Sequence, residues 1–306
     1  MTTTIRPMTV FLLIAFGLAW LFALPLWLGD GISSPLLPVV AVAMMATPAI
    51  AAIIVVFFVE RPAHKAQALG LRPLGPVPRF LGFLGLALVI PVGLILAALA
   101  VGSLFGVYTA DLVTFSAFRE VLETQLPEGG LEALGIPIGA LVAAQFLNVG
   151  IGALINTIPA LGEEIGWRGW LLPKLMPLGP VPAIIISGII WGAWHAPLIL
   201  LGYNYPGVPG WLGVLLMIGM CTVVGGVFGW LRLRSGSVWP AALAHGAFNA
   251  AAGFSLVFAA ADFTIDTAHA TILGWTGWLV PAALVIVLVA TGQFRSRVQA
   301  ETVPST

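Results

Sequence analysis

Apolar residues fall in eight long runs along the chain, at about 8–28, 36–59, 80–104, 141–172, 182–201, 211–231, 238–258 and 273–292, separated by short polar links. Each run approaches or exceeds the ~20 apolar residues a helix needs to cross a bilayer. None shows the ~10-residue alternation of a membrane-barrel strand. The pattern predicts an all-α polytopic membrane protein with about eight transmembrane helices, forming a single integral membrane domain over 1–306. The first run follows Arg6, lacks a small-residue cleavage site near its end and exceeds a signal peptide's apolar length, so it reads as a retained helix. The fourth is too long for one straight span, and Pro159 predicts a break, with an inner half-helix from about 159 to 172. The segment 105–135 is the one sizeable outer loop, acidic and bearing Gly and Pro. A short surface helix is expected there, around 111–123. Gly188 with Gly192, and Gly225 with Gly229, have the small-residue spacing that lets membrane helices approach closely.

Composition excludes a soluble domain. The 306 residues are 60% hydrophobic and 8% charged, against about 45–50% and roughly 25% in soluble domains. Twelve basic and twelve acidic residues cancel, which offers no argument for a nucleic-acid partner. Their distribution is more telling than their sum. Alternate loops put Arg6, Arg61, Lys65, Arg72, Arg79, Arg168, Lys174, Arg232, Arg234, Arg295 and Arg297 on one side and leave only Arg119 on the other. Cytoplasmic loops hold the excess of Lys and Arg, so both termini are expected in the cytoplasm. The acidic residues of the loops lean to the opposite face. The lone cysteine, Cys221, cannot form an internal disulfide and reads as a small buried hydrophobe.

Ionisable groups inside a bilayer are costly, and each is a functional hypothesis by default. Here they cluster in the motif-bearing core, about 141–258: Glu163, Glu164 and Arg168 in the fourth run, His195 in the fifth, His245 and Asn249 in the seventh. At 1.5 Å of rise per residue, Glu163, His195 and His245 lie ~15–20 Å from the inner ends of their helices, a matching depth on three helices, as one site requires. Residues four apart share a helix face. Glu164 can therefore pair with Arg168, and the pair reads as structural. Glu163 is rotated about 100° away and left free. Trp191 shares a face with His195, and His245 with Asn249. A buried carboxylate can take a proton from water, while neutral imidazoles and an amide can bind a metal or a developing oxyanion. Trp167, Trp170, Trp191 and Trp194 read as packing or lipid-facing residues, His64 and His269 as solvated loop residues. Asn148 and Asn156 read as hydrogen bonds between helices.

In order, Glu163-Glu164-Ile165-Gly166-Trp167-Arg168 matches E-E-x-x-x-R, Trp191 to His195 matches aromatic-x-x-x-H, and His245-Gly246-Ala247-Phe248-Asn249 matches H-x-x-x-N. This ordered set resembles the CPBP family, the type II CAAX prenyl proteases and the bacteriocin-processing or immunity proteins, over about residues 163–249. The resemblance implies an intramembrane endopeptidase of all-helical fold, with a conical cavity open toward the cytoplasm. It assigns Glu163 as the activator of water, His195 as its assistant, His245 and Asn249 to the oxyanion, and Arg168 as the holder of Glu164. The family has been described both as metal-free glutamate proteases and as metalloproteases. A divalent metal such as zinc, held by Glu163, His195 and His245, therefore stays open as a cofactor. The implied partner is a membrane-associated peptide or protein, with or without a lipid group. Prenylated CAAX substrates characterise eukaryotic members, and nothing in this sequence reads a lipid. Trp191 stands where Phe is usual.

The chain has no H-E-x-x-H, no G-x-S-x-G and no Asp in the core of any run, so among intramembrane proteases the glutamate type remains. Two other classes use the same residues. An ion- or proton-coupled transporter would make Glu163 and the histidines a relay, yet such proteins often show discontinuous helices in both halves. A non-catalytic immunity or scaffold protein would retain the motifs for stability alone.

Overall fold

The computed structural model describes residues 2–294, with side chains from residue 5 onward. All eight apolar runs are helical. The principal helices are α1 (Thr2–Trp27), α2 (Leu37–Ile54), α3 (Val77–Leu104), α4 (Ile138–Glu164), α5 (Pro180–Trp194), α6 (Gly210–Ser235), α7 (Trp239–Ala251) and α8 (Leu279–Ala290). Among the described residues, five helical stretches are long and apolar enough to cross a membrane: Ile5–Trp27, Leu37–Glu60, Val77–Leu104, Ile138–Leu178 and Gly210–Ser235. The fifth, seventh and eighth runs form shorter helices, bent or interrupted near their ends. The only pairing of strand type among the described residues is an isolated bridge, Ala110 to Ala259.

Helix ends follow local chemistry. Pro38, Pro78 and Pro240 stand in the first turns of α2, α3 and α7, where a missing N–H costs nothing. The last turn of α6 carries Arg232 and Arg234 and closes on Gly236 at φ 77°. This places cations against the exposed carbonyls and gives the left-handed cap to a residue without a Cβ. The break expected at Pro159 does not occur. Helix α4 runs through it, because surrounding helices can absorb a freed carbonyl inside a packed bundle. The regular geometry ends instead after Glu164, where a π-helix covers Ile165–Leu171. Asn148 and Asn156 also depart from expectation. Asn156 donates to Gly152 O, and Asn148 to Gln145 Oε1, so both bond within their own helix.

The centre of the bundle is α7. It packs on α4, α3 and α6, while α5 packs on α6, and α2 on α1 and α4. Every residue of α7 from Pro240 to Phe248 is buried. Both predicted glycine pairs lie at close approaches. Gly188 and Gly192 meet Thr222 and Ile218 of α6 backbone to backbone, and Gly225 and Gly229 of α6 leave room for Arg168 and Leu172.

The link from α2 to α3, the end of the π-helix and the turn from α6 to α7 meet at one end of the bundle. Val238 N–H donates to Gly70 O at 2.8 Å, and Arg79 donates to Arg234 O. Glu60 accepts from Lys174 Nζ at 2.7 Å and from Trp170 Nε1 at 3.1 Å. These links carry most of the basic residues counted above; Arg295, Arg297 and the tail from Ser296 lie outside the described residues. At the other end the acidic loop forms a surface helix at Ser116–Gln125, a few residues later than expected. Asp111 precedes it as an anchor. Its carboxylate accepts the N–H groups of Val113, Thr114 and Ser116 and the Thr114 hydroxyl, which holds it well below the usual carboxylate range. Tyr108 donates to Ser255 O at 2.8 Å and ties this loop to the segment after α7.

The α7–α4 contact depends on Gly246, where a Cβ would lie 2.5 Å from Ala153 O and 2.7 Å from Thr157 N. Overpacking of this kind costs about 1–3 kcal/mol. Gly246→Ala is therefore expected to lower the melting temperature in detergent. Gly139→Ala, with nothing within 4 Å of the added carbon, is expected to leave it unchanged or slightly raised.

Candidate active site

Glu163 and Glu164 are the last two residues of α4 before the π-helix, and both are almost completely buried, at 2% and 0% exposure. Their side chains have separate fates. Glu164 Oε1 accepts from Arg168 Nη1 at 2.8 Å and meets His245 Nδ1 at 3.0 Å. The predicted pair of Glu164 with Arg168 is present, and His245 joins it from α7. Glu164 Oε2 is sealed from solvent without a partner.

Glu163 is not free, contrary to the expectation from helical spacing. Its Oε2 accepts the indole N–H of Trp191 at 2.7 Å, a bond between helices that periodicity within one helix could not reveal. No protein group among the described residues donates to Glu163 Oε1, and this oxygen is absent from the sealed, unpartnered atoms of the interior. Glu163 therefore keeps one oxygen without a protein donor among the described residues, in a residue that is 2% exposed.

His195 ends α5. Pro197, two residues on, has no N–H to continue the ladder. The His195 N–H bonds Gly192 O, one residue short of the helical partner. Trp191 O is left as an orphan acceptor of the helix terminus, and His195 Nδ1 fills it at 2.9 Å. A carbonyl can only accept, so Nδ1 carries the proton and Nε2 holds the lone pair. The same reasoning at His245 gives Nδ1–H toward the Glu164 carboxylate. Its Nε2 is then a lone pair when the ring is neutral and a donor when it is an imidazolium. His195 lies in Coulombic reach of Glu163, His245 and Arg168, which draws α4, α5 and α7 into one site.

Aromatic rings wall the site. The Arg168 guanidinium lies 4.0 Å from the centre of the Trp191 ring and 5.6 Å from that of Phe228. Phe228 is stacked on His245 at 5.6 Å, and Trp191 meets His245 edge to face at 5.5 Å. Trp194 packs on His195 and donates to Thr47 Oγ1. Gly225 makes this possible, since a Cβ there would stand 2.6 Å from Arg168 Nη2. Cys221 is buried, with Sγ 4.0 Å from His195 Nδ1.

The structure thus joins Glu163, Glu164, Arg168, Trp191 and His245 directly, and His195 through Trp191. Asn249 stands one turn beyond His245 on α7, half-buried, with no hydrogen bond to the others among the described residues. His64 and His269 are exposed, the latter bonded to Asp266. Phe228 and Cys221 were missed as neighbours because both lie on α6, which carries none of the three motifs. Trp191 was foreshadowed only by its four-residue spacing from His195.

The metal reading fits this arrangement poorly. Among the described residues no three His, Cys, Asp or Glu side chains come close enough to hold one ion. Glu163 Oε2 and Glu164 Oε1 are already bonded to indole, guanidinium and imidazole.

The fold and site define a polytopic all-helical membrane protein with a buried carboxylate–imidazole centre. Residues 139–251 match the family model described as Type II CAAX prenyl endopeptidase Rce1-like. A protein of Methanococcus maripaludis named CAAX prenyl protease 2 is 31% identical over 81 residues, 24% of this chain and 30% of that protein. The chain thus aligns with about a third of that relative's length. All three motifs lie inside the matched segment, and the resemblance to the CPBP family is borne out there.

Breaking a buried ion pair strands the remaining charge, at a cost of about 3–5 kcal/mol. Arg168→Met is expected to lower thermal stability in detergent by that order. Glu164→Gln combined with Arg168→Met removes the stranded charge and is expected to recover part of the loss.

Proposed function

We propose that this protein is an intramembrane endopeptidase that hydrolyses a peptide bond with a water activated by Glu163. The observation that carries the reading is the division of labour between two adjacent glutamates. Glu164 is held through Oε1 by Arg168 and His245 and serves structure. Glu163 is anchored by one oxygen and keeps the other without a protein donor among the described residues. Oε1 of Glu163 takes a proton from water, and the oxygen attacks the scissile carbonyl. His195 accepts a hydrogen bond from that water through Nε2 and holds it in line. The negative charge that develops on the carbonyl oxygen meets the His245 ring, held by Glu164, and the Asn249 amide. The proton on Glu163 then passes to the departing amine, and the peptide bond breaks into an acid and an amine.

The substrate is a membrane-associated peptide or protein that enters the bundle from the bilayer. The relative named above is called a CAAX prenyl protease, which makes a lipidated C-terminal peptide the first substrate class to try. No step is routed through a metal, because among the described residues no three His, Cys, Asp or Glu side chains come close enough to hold one ion. The basic end of the bundle faces the cytoplasm, the side on which Lys and Arg accumulate in membrane proteins.

A positioned general base contributes about 10²–10⁴-fold to rate. With purified protein and a membrane-tethered peptide reporter, Glu163→Gln is expected to lose at least a hundredfold in cleavage while its circular dichroism stays unchanged, since glutamine still accepts the Trp191 N–H. A chelator such as 1,10-phenanthroline is expected to leave the wild-type rate intact. Full activity in the glutamine variant would overturn the assignment.

Orientation has its own test. In a Cys221→Ala background on intact cells, an impermeant maleimide is expected to label Glu128→Cys in the acidic loop and to spare His64→Cys.

A further inference from the structure

We propose that Trp191 is the positioning residue of the site, fixing both the carboxylate base and the imidazole that assists it. The inference rests on the function proposed above and extends it to a residue that touches neither water nor substrate.

One side chain and its carbonyl meet four members of the site. The indole N–H donates to Glu163 Oε2 at 2.7 Å. The backbone oxygen of the same residue accepts His195 Nδ1–H at 2.9 Å. Arg168 lies over the indole face at 4.0 Å, and His245 meets the ring at 5.5 Å. Trp191 is itself 2% exposed, so these contacts hold it in place as firmly as it holds them.

The geometry of indole explains how one residue serves them all. The N–H lies in the ring plane, while a cation is attracted to the ring face. Glu163 therefore sits at the edge and Arg168 over the face, and the two contacts do not compete. Two adjacent glutamates face a single arginine, and an unheld Glu163 could turn to that cation. The indole donor keeps Glu163 from Arg168, leaves Arg168 to Glu164, and leaves Glu163 Oε1 without a protein donor among the described residues. A phenylalanine at this position would offer Arg168 a face but give Glu163 no donor. In this chain the second motif thus supplies a hydrogen bond as well as a wall.

Trp191→Phe removes the N–H and keeps the aromatic plate and the backbone carbonyl. With the tethered reporter, kcat is expected to fall at least tenfold while KM stays within twofold and the melting temperature stays near wild type. Trp191→Leu loses the plate as well and is expected to lower both kcat and stability. A residue that only fills space would give the opposite pattern in Trp191→Phe, with reduced stability and full turnover per folded molecule.

The bond can also be read without activity. In protein labelled with ¹⁵N-tryptophan, the indole resonance that vanishes in Trp191→Phe is expected to move upfield in Glu163→Ala and to stay in place in Glu120→Ala. Wild-type kcat in Trp191→Phe, or an unmoved indole resonance in Glu163→Ala, would overturn the positioning role and leave the endopeptidase assignment standing. Absence of cleavage by the wild-type protein would overturn that assignment, and this role with it.

Discussion

A carboxylate with no exposed surface, in the middle of an apolar bundle, must be matched by cations or it cannot remain ionised. Glu164 meets that constraint by accepting from Arg168, one turn along its own chain, and from His245 on another helix. Much of the bundle follows. Arg168 needs room, which Gly225 leaves, and its guanidinium needs a surface, which Trp191 and Phe228 provide. His245 needs α7 to lie close to α4, which Gly246 permits. Three helices and a π-turn are thus positioned by the requirement that one buried charge be compensated.

The same constraint separates structure from chemistry at neighbouring positions. Glu163 and Glu164 are adjacent in sequence, and composition cannot tell them apart. Around Glu164 the bundle places a guanidinium and an imidazole, while Glu163 meets one neutral donor and keeps an oxygen without a protein partner among the described residues. A group that must exchange a proton with water during a reaction is served by an oxygen that no protein donor occupies. The π-helix begins immediately after this pair, and π-turns recur at functional sites because they free backbone geometry from strict helical register.

What the sequence made legible was whatever depends on spacing within one helix. The eight apolar runs, the Glu164–Arg168 pair, the shared faces of Trp191 with His195 and His245 with Asn249, and the close-packed glycines follow from the 3.6-residue period and the chemistry of lipid. What stayed hidden was whatever depends on which helix lies beside which. The indole donor to Glu163 comes from 28 positions away and the imidazole partner of Glu164 from 81, and neither separation carries a periodic signal. Pro159 misled for a related reason. Proline breaks a helix whose freed carbonyl must find water, whereas a helix packed on several others can carry it through.

Helix α7, which bears His245 and Asn249, has 13 residues, about 20 Å of rise against a ~30 Å hydrocarbon core. On the lipid-facing rim of the bundle, such a helix would expose unpaired backbone ends to hydrocarbon. It is tolerated because it is wrapped by α3, α4 and α6, so that its ends meet protein or water instead of lipid. The interior position has a chemical consequence. A site that hydrolyses a bond needs water, and a membrane supplies none. Under the proposed hydrolysis, the ends of a short central helix are where water can reach the interior, and half-buried Asn249 stands near the C-terminal end of α7. The short length of α7 and the ability of the centre to hold water are therefore two aspects of one feature. A full-length span at this position would satisfy the bilayer better and leave the glutamate dry.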